Sequence, residues 1–203
     1  MDYNFKVDQP HWLLNEINLG EQFETVESRM SLVIKLSELN VDQRTGGPFA
    51  AGVFETQTGR LISVGVNQVL ASGVSSAHAE VCALSLAQKK LGTFDLGSES
   101  SGRHQLVVNW CPCVMCYGAI IWSGITSLVT NVGPEMEEIT GFDEGPLHPR
   151  WREELNSRGI DFQENVMWSE ALKVFEKYRD SGAPVYNARG NKKKSLVIEN
   201  FRS

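Results

Sequence analysis

No stretch of this chain approaches the roughly eighteen consecutive apolar residues of a membrane-spanning helix, so no helical membrane anchor is expected. Asp2, Lys6 and Asp8 interrupt the first residues and no apolar run follows them, so they do not read as a secretory leader, and the expected location is the cytoplasm. Cysteine is scarce, four in 203 residues, and three of the four fall between positions 111 and 116. That crowding excludes a disulfide framework and suits a metal or redox site in a reducing compartment. An excess of basic charge is also missing: 19 Lys and Arg face 25 Asp and Glu, for a net charge of −6. Residues 189–203 carry five basic residues against one acidic, which leaves about −10 on the rest of the chain. An acidic body repels a phosphate backbone, so a nucleic-acid partner is not expected, and Lys192 to Lys194 read as a solvated end. Internal repeats and low-complexity segments are absent, and 41% hydrophobic with 22% charged residues is the balance of one ordinary globular domain.

What is present reads as alternating α and β elements. Residues 1–25 show little periodicity and are taken as an N-terminal extension, residues 26–182 as the functional domain and residues 183–203 as a C-terminal tail that covers the site. Apolar residues at 26, 30, 33, 34, 36 and 39 follow helical spacing, and Thr45-Gly46-Gly47-Pro48 breaks that helix. Residues 49–55 and 61–67 predict a hairpin across a Thr-Gly turn. Residues 78–90 predict a helix, 105–110 a strand, 113–122 a helix opened by Pro112, and 126–132 a further strand. This order implies an α/β sandwich, a mixed sheet covered by helices. Residues 133–149 read as a long acidic loop, long enough to line or cover a site. A helix at 149–157, a strand at 160–163 and a helix at 169–180 follow.

The chemistry concentrates in two stretches, His78-Ala79-Glu80 and, thirty-five residues from His78, Cys113 in Cys111-Pro112-Cys113-Val114-Met115-Cys116. His78, Cys113 and Cys116 can supply three zinc ligands; a catalytic zinc takes three from the protein, whereas a structural one is closed by four. The spacing of three puts Cys113 and Cys116 on one helix face, at a helix start where the dipole favours thiolates. His78 and Glu80 fall in the first turn of the other helix, and residues two apart share no flank. A site using both must therefore lie off that helix's N-terminal end. There Glu80 can serve as general acid and base without ligating the metal. The bland alternative makes the cysteines core residues or a redox pair and leaves His78 and Glu80 without purpose. Cys82 reads as a small buried residue, and His11, His104 and His148 as surface histidines.

The stretches His78-Ala79-Glu80-Val81 and Pro112-Cys113-x-x-Cys116-x-Gly118-Ala119-Ile120 resemble the cytidine and deoxycytidylate deaminase superfamily, whose zinc signature is H-x-E with P-C-x-x-C. Gly46-Gly47-Pro48-Phe49, Asn67, Trp122 and Gly141-Phe142-Asp143-Glu144 are similar to its guanine deaminases. The resemblance implies a three-layer fold with a mixed five-stranded sheet, a homodimer, one catalytic zinc, and hydrolysis of guanine to xanthine and ammonia. It also implies acceptance of aminotriazines such as ammeline. In its terms Glu80 and Glu144 carry protons, and Asn67, Phe49, Trp122 and Phe142 bind the base. Each has a duller reading: a turn-forming Asn, core aromatics, a solvated Glu. The rival activities are a guanosine or cytidine-type nucleoside deaminase and a tRNA adenosine deaminase. Cys111 stands where purine and tRNA members of the superfamily usually have Glu, either as a packing substitution or as an alternative ligand.

Overall fold

The computed structural model describes residues 6–187. A short α1 (Leu13–Glu16) precedes α2 (Val26–Asp42), then β1 (Ala50–Glu55), β2 (Leu61–Val66), a single-turn α3 (Val69–Ser72) and α4 (Ala79–Leu91). There follow β3 (His104–Val108), α5 (Val114–Ser123), β4 (Ser127–Thr130), α6 (Glu135–Thr140), α7 (Trp151–Ser157), β5 (Asp161–Glu164) and α8 (Trp168–Asp180). The strands make one sheet in the order β2-β1-β3-β4-β5. β1 pairs antiparallel with β2 and with β3, while β3, β4 and β5 run parallel. This is the mixed five-stranded sheet flanked by helices that the resemblance implied.

Alternating side chains on buried strands feed two separate cores. On β1 and β3, Ala50, Phe54 and Val107 join the core under α2 and α8, whereas Ala51, Val53, Leu106 and Val108 join the one under α4, α5 and α7. α2 opens on a capping box in which the Thr25 hydroxyl accepts from the Ser28 amide at 3.1 Å and the Ser28 hydroxyl accepts from the Thr25 amide. On α4, Ala79, Ala83 and Ala87 recur every four residues and are fully buried, so the helix lies close on the sheet. Gly65 of β2 completes that approach. A Cβ there would fall 2.5 Å from the Ala79 carbonyl oxygen and 2.6 Å from the Ala83 nitrogen. Gly65→Ala would push the first turn of α4 off the sheet, an overpacking that costs about 1–3 kcal/mol.

Two expectations need correction. The acidic stretch 133–149 is not all loop, because α6 forms within it; its Glu135, Glu137 and Glu138 occupy the first turn, where acidic side chains complement the helix dipole, and Met136 anchors it in the core. His104 is not on the surface: it is 1% exposed on β3, with Nδ1 2.7 Å from the Leu96 carbonyl oxygen, so a satisfied imidazole is a core residue here. Residues 6–25, read above as part of an N-terminal extension, pack against the rest of the chain. Leu13 is buried in the α2/α8 core, and Gln9 Oε1 accepts from the Val66 amide on the edge strand at 2.8 Å.

Candidate active site

Because β1 runs opposite to β2 and β3, its N-terminal end lies beside the C-terminal ends of those strands. Phe49, Asn67, the 109–113 segment and the chain leaving β4 therefore emerge at one end of the sheet, where α/β folds gather their chemistry. Two helix starts meet there. His78 immediately precedes α4 in an extended conformation (φ −73, ψ 154), and Cys113 does the same for α5 (φ −65, ψ 168). The Sγ of Cys113 accepts from the Cys116 amide at 3.5 Å.

His78 Nδ1 lies 3.5 Å from the Sγ of Cys113 and 3.5 Å from that of Cys116, and the three ligating atoms all fall within 4.8 Å of one another. With Zn–S bonds of about 2.3 Å and Zn–N bonds of about 2.0–2.1 Å, sulfur and nitrogen on one tetrahedral zinc stand roughly 3.5 Å apart. The donors are thus already spaced for the ion, and two thiolates with an imidazole are the soft set that zinc takes. Hydrogen bonding from Cys116, helped by His78, holds the Cys113 thiol down to about 4. Its role as donor to Cys113, together with burial, pushes the Cys116 thiol well up. Burial opposes charge on His78, but Cys113 and Glu80 outweigh it and raise the imidazole. A dication bound there competes with protons for the two thiols.

Glu80 is 4% exposed, and burial, with the Cys113 charge added, raises its carboxyl. Glu144 responds in the same way: burial first, then Cys113 and Glu80, push it well above the usual carboxylate range. Its backbone carbonyl accepts from the Val114 amide at 2.9 Å, tying the loop to the first turn of α5. Two carboxyls with raised proton affinity, Glu80 buried and Glu144 partly so, beside a depressed thiol are the signature of a site built for proton transfer.

These groups open into a cavity of about 180 Å³. His78, Glu80, Cys111 and Glu144 line one part of it, Phe49 and Phe142 another, and Tyr186 with Asn187 a third. The rings of Phe49 and Phe142 meet edge to face at 5.2 Å, and Phe142 packs on Tyr186 at 4.8 Å. Asn67 is 1% exposed at the end of β2, and its Oδ1 accepts from the amide of Val69, a residue that does line the cavity. Trp122 is not brought in: it lies on the outer face of α5 with 86% of its surface exposed, a turn and a half beyond Cys116. Cys111 stays outside the three-residue metal cluster; burial, with Glu144 adding, pushes its thiol up to about 12, so it faces the cavity as a neutral group. Val69 and Ser75 also line the cavity and carried no sequence signal, since α3 is too short to show a period.

The fold and donor set define a zinc-dependent aminohydrolase. Residues 24–132 match the family described as "Cytidine and deoxycytidylate deaminase zinc-binding region", and the chain belongs to that family. The guanine deaminase of Bacillus subtilis is 29% identical over 155 residues, 76% of this chain and 94% of that protein. The solved guanine deaminase of Nitrosomonas europaea is 39% identical, with a TM-score of 0.84 over 89% of this chain and 98% of its own. A mutant protein solved in complex with 8-azaguanine is similar to the same degree, 39% identical with a TM-score of 0.84, covering 89% of this chain and 98% of that one.

Proposed function

We propose that the chain hydrolyses guanine to xanthine and ammonia. The observation that carries this reading is that Glu80 and Glu144 line one narrow cavity with His78, whose Nδ1 lies 3.5 Å from the thiols of Cys113 and Cys116. Zinc held by those three residues supplies Lewis acidity and a water whose pKa falls toward neutrality. Glu80 takes a proton from the attacking water and passes it to ring nitrogen N3 as the oxygen bonds to C2. Glu144 gives a proton to the amino group at C2 and is restored by the one that the C2 hydroxyl loses as the C2=O bond forms, so that the C–N bond breaks with ammonia as the leaving group. A carboxyl whose proton affinity is raised suits such traffic better than an ordinary one.

Phe49 and Phe142 enclose the planar base, and Asn67 binds its edge from the wall that carries Val69. At about 180 Å³ the cavity is below the roughly 300–1,000 Å³ of drug-sized sites, which favours a free base over a nucleoside. Small flat aminotriazines such as ammeline fit the same description. A tRNA substrate is disfavoured by the acidic body.

The tail reading has its own support. Asn187 Nδ2 donates to the Gly141 carbonyl at 2.7 Å while its Oδ1 accepts from the Asp143 amide at 3.1 Å, so residues 183–187 strap the loop that carries Phe142 and Glu144. Ala188, Arg189 and the basic residues beyond lie outside the described residues. We assign residues 26–182 to the deaminase domain, with the N-terminal segment and the tail as its supports. We further assign a homodimer, with Met115 and Trp122 on the outer face of α5 as its apolar contact: they are 37% and 86% exposed and seven residues apart, hence on one face. No helix among the described residues is long and apolar enough to cross a membrane, and a cytoplasmic enzyme is the reading we adopt.

The test is ammonia release from zinc-loaded protein offered guanine, ammeline, guanosine, cytidine, adenine and an anticodon stem-loop, with Glu80→Ala as blank. Clear preference for guanine is expected. Release only from a nucleoside or the RNA would overturn the substrate while keeping the zinc chemistry.

A further inference from the structure

The wall that carries Phe49 and Asn67 is held from behind by a chain of side chains that begins in the N-terminal segment. Asn40, in the last turn of α2, is fully buried. Its Nδ2 donates to two main-chain carbonyls, Gly47 at 2.8 Å and Asn67 at 3.1 Å. Its Oδ1 accepts from the Thr45 hydroxyl at 2.7 Å. That hydroxyl in turn accepts from the indole N–H of Trp12 at 3.1 Å. Every group in the chain has one direction: the carbonyls require the amide hydrogens, so the amide oxygen must take the hydroxyl hydrogen, and the hydroxyl oxygen is left to receive Trp12.

The segments so joined are packed to contact. A Cβ on Gly46 would fall 1.9 Å from the Asn67 carbonyl oxygen and 2.6 Å from Asn40 Nδ2, and one on Gly47 would fall 2.4 Å from the Tyr186 hydroxyl oxygen. The Asn67 amide donates to the Phe49 carbonyl at 3.0 Å, and Gln68 Nε2 bridges the carbonyls of Thr45 and Asn67 at 3.2 and 2.9 Å. Arg44, just before Thr45, holds φ at +54, in the left-handed region that favours glycine and strains other residues. Strain, two side-chain-free glycines and a buried polar network coincide at one turn. Retained strain of this kind persists where the surroundings over-determine the backbone.

We infer that Asn40 is a positioning residue for base binding, with Thr45 and Trp12 as its outer supports, so that the N-terminal segment is part of the substrate-binding apparatus. Asn40 lines no part of the cavity and acts only through the spacing it imposes between Gly47 and Asn67. The inference rests on the base-binding reading of Phe49 and Asn67 given above.

The experiment combines steady-state kinetics on guanine with amide hydrogen exchange of residues 45–49 in Asn40→Ala, Asn40→Asp, Thr45→Val and Trp12→Phe. Asn40→Ala should raise KM at least about ten-fold with kcat within about three-fold, the mark of lost uniform binding. Asn40→Asp, equal in size but without the donor, should do no better than Ala; a role in filling space would leave it near wild type. Thr45→Val and Trp12→Phe should each raise KM about two- to five-fold, and their combination should not multiply, because they break one chain. Exchange at residues 45–49 should quicken in all four. Ser63→Ala, which removes a buried hydrogen bond of the same kind to the Ala83 carbonyl, should lower the melting temperature without moving KM. The inference fails if KM stays within about two-fold in Thr45→Val and Trp12→Phe, or if exchange at residues 45–49 is unchanged in them. Those two variants decide the matter should Asn40→Ala not fold. A wild type that releases no ammonia from guanine overturns the substrate reading instead, and the exchange comparison then judges the network by itself.

Discussion

The cavity has two walls of different construction. The inner wall, His78 and Glu80 together with the Cys113 and Cys116 thiols that His78 Nδ1 meets at 3.5 Å, is borne by the starts of two helices packed on the sheet, α4 and α5. Within each pair the residues are two or three apart, so helix geometry sets their local placement, and the packing of α4 and α5 on one sheet brings the two pairs together. The outer wall, Phe142, Glu144, Tyr186 and Asn187, is borne by segments outside regular structure. Contacts such as Asn187 with Gly141 and Asp143 hold it, spanning more than forty residues. The zinc donors and Glu80 thus sit at helix starts, while Glu144 and the groups that shape the rest of the cavity sit on loops strapped over them. Precision in the first and adaptability in the second is the division that enzymes on shared folds use to change substrate while keeping a reaction.

The largest effect should come from dismantling the inner wall. Removing zinc with a chelator, or Cys113→Ser, should reduce ammonia release to background, and readded zinc should restore the wild type only. Metal content should fall as pH falls, because protons compete for the two thiols and the imidazole. Next comes Glu80→Gln, expected to lower kcat by about 10³–10⁴-fold while zinc content is unchanged. Full turnover in that variant would remove Glu80 from the mechanism and merge the two walls into one binding surface.

The outer wall should respond more mildly. Glu144→Gln should lower kcat about 10²-fold, less than Glu80→Gln, because it serves the leaving group alone. Truncation after Gly182 should raise KM about ten-fold with a smaller change in kcat, the pattern of lost substrate binding. Unchanged KM and kcat there would show that the strap is decoration. The smallest effect belongs to Cys111→Ser, expected to keep its zinc and to stay within about three-fold of wild-type kcat/KM. Zinc lost from that variant would move Cys111 into the inner wall.

The same division explains what could be read without coordinates. β1, β2, α2, α4 and α5 fell within a residue or two of their expected bounds, since period-two and period-3.6 patterns report burial directly. α6 was hidden in an acidic run, because a six-residue helix with one buried side chain, Met136, leaves almost no pattern. His104 looked like a surface residue because imidazole polarity says nothing of whether a carbonyl waits to pair with it. Trp122 matched a family position, yet within one chain its ring faces outward from α5.

By itself the sequence determined the two halves of the reaction centre, His78 with Glu80 and Cys113 with Cys116, each at a spacing of two or three and placed at a helix start; the sheet that carries α4 and α5 brings the halves to bear on one ion. Only the tertiary structure decided the room around that centre. The cavity's width, the burial that raises Glu144, the strap at Asn187 and the Asn40 network all depend on residues dozens of positions apart. Local spacing is written in the order of residues, whereas burial and long-range hydrogen bonds exist only once the chain has folded.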